Sequence, residues 1–267
     1  MISAQLGDRV EALDGVSAAQ PPPSGRWTLS LAALEQLWSV RSRGLVSVAA
    51  RRSQAGVELR EAGLTGRFGA LSDEGARFVR LLDEPDARFG ATATLRGKKA
   101  NWGMWLGKGS ALVRAQGSVP DLVASAEERD AGRFDLLPPG RAIGHLMAWT
   151  GHSPAWAVAL GDPFVVPTSD VNRRVDGEPV SMPETTDPLM QRLWSAPNWT
   201  RVRVWSEATG RGAEWISAGA GGNFRTHLVG DGSFCRIELV PGGTVFRDVL
   251  SVFQDGPPAN VRPATIQ

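Results

Sequence analysis

The chain has 267 residues, 42% of them hydrophobic, and a formal net charge of +1 at pH 7. This length supports a substantial hydrophobic core, and the even spread of acids and bases excludes a broad basic surface for nucleic acid or acidic lipid. No apolar run reaches the roughly 18 residues of a membrane span. The N-terminal residues lack the basic start and apolar stretch of a signal peptide, so we expect a cytoplasmic protein without membrane insertion.

The first 25 residues are polar, end in the proline run QPPPSG and predict a flexible tail. Ser30 is a suitable N-cap for an amphipathic helix, which we expect to end at Gly44. Two short strands are then predicted in GLVSVAA and GVELREAG. The polar residues between these strands would form their connecting turn: Arg51, Arg52, Ser53 and Gln54.

Ser72 predicts the start of a second helix, and Pro85 predicts its end. From Phe89 to Leu95 the apolar residues alternate with polar or small ones, which is the period of a half-buried strand. The following segment, GMWLGKGS, is close to a phosphate-binding loop but has three residues between its glycines where that loop needs four. Its glycines instead predict a tight β-hairpin turn. In a regular strand Trp102 and Trp105 point to opposite faces, so we expect one in the core and the other as a candidate partner contact.

A strand is predicted in DLVASAEE, and an apolar segment follows from Ala142 to Trp149. Residues 151–185 are rich in Pro, Gly, Ser and Asp, which predicts an irregular segment. Asp187 followed by Pro188 then indicates a short helix through Trp194.

The last part of the chain predicts an antiparallel meander, because four segments of strand character are separated by glycine turns. These segments are RVRVWSE, GAEWISAG, NFRTHLV and SFCRIELV. Thr244 is the expected N-cap of a final helix, which the Gly-Pro-Pro run at 256–258 would stop.

Strands that occur in runs predict an α+β fold with a central antiparallel β-sheet flanked by helices. A similar order of elements occurs in residues 26–150 and 186–258. We therefore expect a single domain, 26–258, made of two quasi-two-fold related halves that the irregular segment 151–185 joins. Residues 259–267 predict a C-terminal tail.

Catalytic signals are weak. The segment GHSPA, Gly151 to Ala155, is close to the nucleophile elbow of α/β-hydrolases, but Pro154 has no backbone N–H to donate to an oxyanion. The lone cysteine, Cys235, lies in a strand-like segment and is expected to be a small buried residue. The histidines lack the spacing of a zinc-binding helix: His145, His152 and His227. We expect no metal, no cofactor and no catalytic residue, and a protein that binds rather than catalyses.

Several segments across residues 26–258 resemble the EspG family, the cytosolic chaperones of actinobacterial type VII (ESX) secretion. They are WTLSLAALEQLW, RRSQAGVELREAG, LSDEGARFVRLLDEP leading into a strand, and IELVPGG before the last helix. The composition, rich in arginine and without tyrosine, is also typical of an actinobacterium with a high-GC genome.

The resemblance implies a central antiparallel sheet, two quasi-symmetric halves and a function without catalysis. Proteins of this family bind the helical tip of a PE–PPE heterodimer, keep it soluble and help to deliver it to the type VII secretion components. Their client contacts fall on the loop between the second and third strands, on one face of the sheet and on the helical region between the halves. By position, this loop corresponds to Arg51, Arg52, Ser53 and Gln54.

We therefore expect partner binding at these loop residues and at Trp102 and Trp105. A solvated turn without a binding role is the alternative for Arg51 and Arg52. Two other functions stay open: a non-catalytic binding module for another protein partner, and a serine hydrolase acting at GHSPA.

Overall fold

The computed structural model describes residues 25–43, 47–119, 122, 132–152, 163–185 and 187–254. Its strands are β1 (Trp27–Leu29), β2 (Ala87–Leu95), β3 (Lys98–Gly107), β4 (Ser110–Gln116), β5 (Gly132–Leu137), β6 (Phe164–Pro167), β7 (Thr200–Ser206), β8 (Gly212–Ser217), β9 (Asn223–Val229) and β10 (Phe234–Val240). Its helices are α1 (Leu31–Arg43), α2 (Val48–Arg52), α3 (Gln54–Glu61), α4 (Asp73–Asp83), α5 (Pro139–Thr150), α6 (Thr168–Val175), α7 (Pro188–Ser195) and α8 (Gly242–Gln254). The predicted tails, the helix ends at Gly44 and at 256–258, and the DLVASAEE strand apart from Leu122 lie outside the described residues.

The strands form one ten-stranded sheet in the order β1-β5-β4-β3-β2-β7-β8-β9-β10-β6. Every neighbouring pair is antiparallel, and helices flank the sheet, which confirms the predicted α+β fold. Outward from the central β2–β7 pair, the order is β2, β3, β4, β5, β1 on one side and β7, β8, β9, β10, β6 on the other. Each strand of the first set thus has a topological counterpart in the second.

The segment 151–185 is not irregular throughout, so this prediction is wrong for residues 164–175, which form β6 and α6. β6 pairs with β10, and at its end the Thr168 N–H donates to Ser233 O at 2.9 Å. These stabilising bonds come from a distant part of the chain, so local composition did not predict them. In the strand order β6 occupies the place that β1 occupies on the other side. The boundaries of the predicted halves stay a prediction.

The two strands predicted around RRSQ are also wrong, because the structure has the short helices α2 and α3 there. Ser47 Oγ accepts the Ala50 N–H, and Ser53 Oγ accepts the Gly56 N–H, each at 3.2 Å. Two successive serine caps therefore start two successive helices. The residues predicted as a hairpin turn, Arg51 to Gln54, form the junction between them.

Most other predicted helices are confirmed. Ser30 and Ser72 cap α1 and α4 through hydrogen bonds of 3.2 and 3.0 Å, and Asp187 caps α7 through one of 2.8 Å. The apolar segment from Ala142 to Trp149 belongs to α5. The N-cap predicted for the last helix is wrong, because α8 begins at Gly242 and Thr244 lies within its first turn.

Helices cover the two faces of the sheet differently. On one face, which we call the covered face, α5 and α8 pack over the central strands, and the buried residues there include Ala91, Trp102, Met104, Val204 and Trp215. On the opposite face, α1, α3 and α4 pack over β4 and β5, whereas α6 and α7 pack over the second set of strands. We call it the groove face, because its two helix groups lie toward opposite edges of the sheet.

Two tight hairpins join the central strands. Lys108 and Gly109 connect β3 to β4, and the positive φ of Gly109, 71°, confirms the turn predicted in GMWLGKGS. Arg96 and Gly97 connect β2 to β3 with φ values of 51° and 73°, as a type I′ turn requires. The Arg96 N–H donates to Val175 O at the end of α6 over 2.7 Å, so this turn is also bonded to the second helix group.

Substitutions of two helical glycines should have opposite effects on stability. Gly75 lies in α4 where a methyl group would overlap the carbonyl oxygen of Leu64, so Gly75→Ala should lower the free energy of unfolding by about 1–3 kcal/mol. Gly144 is exposed in α5 with open space around it, so Gly144→Ala should raise that free energy by about 0.5–1 kcal/mol. Urea unfolding of both variants and the wild type measures these changes in the free energy of unfolding. Equal changes for the two variants would contradict this packing of α4.

Candidate partner-binding surfaces

The centre of the groove face is the most open part of the sheet. On β2 the side chains that point to the covered face are buried, whereas on the groove face Arg88 is exposed and Thr92 is half-buried. The neighbouring strands repeat this contrast, with exposed Asn101 on β3 and exposed Arg203 on β7. We call this surface the central groove, with the floor residues Arg88, Thr92, Asn101, Trp105, Arg203 and Trp205.

Two tryptophans give the central groove an aromatic component. Trp105 and Trp205 are both half-buried, so each residue keeps some accessible surface. Trp205 pairs with Gly90 on β2, and its ring occupies the space that a side chain at this position would need. Large aromatic surfaces beside arginines are typical of the residues that dominate protein–protein binding energies.

The charged residues of the floor also contact the flanking elements. The Arg203 side chain forms an ion pair with Glu214 of β8, and Arg201 lies 3.4 Å from the same carboxylate. Arg201 Nη2 also donates to Asn172 Oδ1 of α6 at 2.8 Å. On the other side, Arg88 Nη2 donates to Leu82 O of α4 at 3.4 Å. Arg88 therefore connects the floor to α4, and Arg201, which lies beside the floor on β7, connects that strand to α6.

The predicted partner-binding residues at 51–54 lie at the corner between α2 and α3. Arg51 is half-buried, whereas Arg52, Ser53 and Gln54 are exposed. Ser53 also has a structural role, because besides capping α3 its hydroxyl donates to Ala50 O of α2 at 2.7 Å and lies 3.1 Å from Gln36 Oε1 of α1. Helix α1 lies between this corner and Trp105, since its residue Leu37 lines a cavity together with Trp105. The corner and the central groove thus belong to the same side of the sheet.

Trp102 and Trp105 point to opposite faces, and the structure places Trp102 in the core at 3% exposure. Its indole N–H donates to His145 Nδ1 at 3.1 Å, and His145 Nε2 lies 3.2 Å from Asp135 Oδ2. Because an indole can only donate, neutral His145 must carry its proton on Nε2, where it donates to Asp135. This burial leaves Trp102 no surface for a partner, and Trp105 is the candidate of the two that remains.

The segment GHSPA begins at the end of a helix, whereas a nucleophile elbow follows a strand. Gly151 ends α5 with a φ of 64°, and the His152 N–H donates to Met147 O at 3.0 Å. Residues 153–155, which include the serine, lie outside the described residues. The described part of the motif therefore does not have the geometry of the hydrolase turn.

The remaining reactive groups give no catalytic constellation in the part of the chain that the structure describes. Cys235 is buried, as predicted, and burial raises the pKa of its thiol, which disfavours the reactive thiolate. Among the described residues, no group of three or more His, Cys, Asp or Glu side chains could hold a metal ion. No helix within the described ranges is long and apolar enough to cross a membrane.

No protein-family profile and no curated protein matches this sequence. Among solved structures, the fold is similar to that of the Mycobacterium tuberculosis type VII secretion system chaperone EspG5, solved in complex with a PE25–PPE41 dimer. The similarity has a TM-score of 0.51 at 13% sequence identity, and it covers 87% of this chain and 97% of that chain. The fold, with its antiparallel sheet flanked by helices, is therefore EspG-like.

His152 should make the stability of the protein depend on pH. It is 8% exposed, and its Nε2 donates to Gly242 O at 3.2 Å. Burial lowers its pKa from the ordinary value of 6.5, although the Gly242 bond acts in the opposite direction. Below pH 6.5 the unfolded chain therefore binds a proton that the folded chain resists. The contribution of neutral His152 to stability is complete above this pH and is lost as the pH falls from there toward the lowered pKa of the folded state.

The variant His152→Gln can keep the bond to Gly242 but does not titrate. The free energy of unfolding, measured with urea at about pH 7.5 and pH 5.5, should fall further for the wild type than for the variant. The difference between the two decreases should be at most about 1.4 kcal/mol. His145 and His227 are the same in both proteins and serve as the internal control. Identical pH profiles would contradict the burial of a neutral His152.

Proposed function

We propose that this protein is a cytosolic chaperone of a type VII (ESX) secretion system. Its clients are helical secretion substrates, a PE–PPE-like heterodimer that the chaperone keeps soluble and delivers to the secretion machinery. The observation that carries this proposal is the similarity in fold to EspG5, a chaperone solved in complex with a PE25–PPE41 dimer, over 87% of the chain.

The physical basis of the function is the protection of an apolar helical surface. A secreted helix pair with an exposed apolar tip would associate with itself in the cytosol, because contiguous apolar patches cause aggregation. A chaperone needs a complementary surface for such a tip, and it needs no catalytic group. The central groove offers two half-buried tryptophans and several polar side chains, which suits the contact of an amphipathic helical tip.

We place the client on the groove face of the sheet. The central groove would bind the helical tip through Trp105, Trp205 and Arg203. The corner residues Arg51, Arg52, Ser53 and Gln54 would contact the client beside it, on the same side of the sheet. The covered face is a poorer candidate at its centre, because α5 and α8 already bury the strands there.

The proposal predicts a complex that contains one copy each of this chain, a PE-like and a PPE-like protein. The test is co-expression with each PE–PPE-like pair encoded by the source organism, followed by size-exclusion chromatography and native mass spectrometry. Elution of the chain apart from every such pair would overturn the proposal. A stable complex with a partner of another fold would instead identify a different binding module.

Arginines on opposite faces of the sheet provide a matched pair of variants. Arg203 and Arg236 are both exposed strand residues, the first in the central groove and the second on β10 with its side chain toward the covered-face side. Arg203→Ala should weaken client binding by about tenfold or more, as expected for an arginine that dominates an interface. Arg236→Ala should leave the affinity unchanged, and calorimetric titration of the purified complex partners measures both. A larger loss of affinity for Arg236→Ala than for Arg203→Ala would instead place the client on the covered face.

A further inference from the structure

A small cavity lies between α1, α4 and the sheet on the groove face, which we call the α1–α4 cavity. Its volume is about 130 Å³. It is lined by Leu34, Leu37, Trp38, Val79, Leu82, Trp105, Arg114 and Phe134. Its rim is accessible, since Trp38 is 46% exposed and Arg114 is half-buried. A cavity of this size holds a single ring or a branched alkyl group, because dry cavities of about 150 Å³ bind benzene.

Arg114 is the single charged residue in the lining of the α1–α4 cavity. It lies on β4, opposite Phe134 in the register with β5, and its guanidinium carbon is 6.0 Å from the centre of the Phe134 ring. Its Nε is buried and has no hydrogen-bond partner in the described structure. Gly132 gives the side chain room, because a methyl group at that position would lie 3.0 Å from the Arg114 Nε.

The Nε of Arg114 is a buried donor of a charged group without an acceptor, which is unfavourable. Arginine stays protonated in proteins, so it cannot relieve the cost of burial by losing its charge. The ring of Phe134 compensates weakly, because 6.0 Å is at the limit of the distance over which an aromatic face attracts a cation. A carboxylate matches the guanidinium in charge and in geometry, and such charge-assisted bonds are the strong ones.

We propose that the α1–α4 cavity is a binding site for a compact apolar carboxylate. The apolar part, of the size of one ring, occupies the space between Trp105, Val79 and Leu37, and the carboxylate accepts hydrogen bonds from Arg114. A free aromatic acid has this chemistry, and so does the last residue of a polypeptide that ends in an apolar side chain. The site is separate from the client contacts on the floor of the central groove, although Trp105 borders both.

The proposal is tested on the full chain by calorimetric titration with 3-phenylpropionate and with its uncharged amide. The acid should bind about tenfold or more tightly than the amide, because only the acid pairs with Arg114. Arg114→Met should reduce the affinity for the acid to that for the amide. A short peptide that ends in phenylalanine, with its C-terminal amide as the control, distinguishes the two sources of the carboxylate. Tighter binding of this peptide than of 3-phenylpropionate indicates a chain terminus, and weaker binding indicates a free acid.

Two further variants separate binding from folding. Leu34→Trp fills the cavity from α1 without changing Arg114 and should abolish binding of both the acid and the amide. Arg236→Met removes an exposed arginine far from the lining and should bind the acid like the wild type. Three results would each overturn the proposal. They are equal affinities for the acid and the amide, no binding at millimolar concentration, and unchanged binding of the acid by the Leu34→Trp variant.

Discussion

The antiparallel pairing of β2 with β7 is the contact on which the rest of the structure depends. It joins the two sets of strands into one sheet, in register from Phe89 opposite Ser206 to Thr94 opposite Arg201. On the covered face this pair offers Phe89 together with small or branched residues such as Ala91 and Val204. Helix α8 packs against them, and its Phe253 ring centre is 4.6 Å from that of Phe89. The continuous hydrophobic core under α5 and α8 requires this pairing.

The same pairing also produces the central groove. The helices before β2, which are α1, α3 and α4, and the two helices directly before β7, which are α6 and α7, pack on the same face of the sheet, each group over strands of its own set. The strands in the middle are therefore covered on one face and open on the other. The groove follows from the topology, since the two sets of strands join edge to edge at β2 and β7, and the helix groups on this face lie to either side of that join.

Sequence patterns predicted the elements that local interactions determine. Ser72 predicted α4 because its cap and its apolar stripe lie within one segment, and the β7–β10 meander was recognisable from its glycine turns. The residues around Arg51 were misassigned because their valines favour strands, and only the serine caps at 47 and 53 indicate helices. β6 was missed because its stability comes from β10, which is distant in sequence.

The candidate site was harder to predict for the same reason. Trp105 was identified from strand alternation, but nothing near Trp205 or Arg203 in the sequence indicates that β2 and β7 bring them to the same floor as Trp105. Arg114 and Leu34 come to line one cavity only when α1 packs on β4 and β5. Residues that meet across the sheet become visible as a group once the strand order is known.

The bond between the Arg96 turn and the end of α6 has a consequence for how a partner associates. The turn belongs to the first set of strands and Val175 to the second helix group, so the hydrogen bond spans the boundary between them. This bond resists a hinge motion about the β2–β7 pair. We therefore expect the width of the groove to be set before any partner arrives. Binding to such a preorganised surface costs little ordering entropy, and selection among partners then depends on their shape.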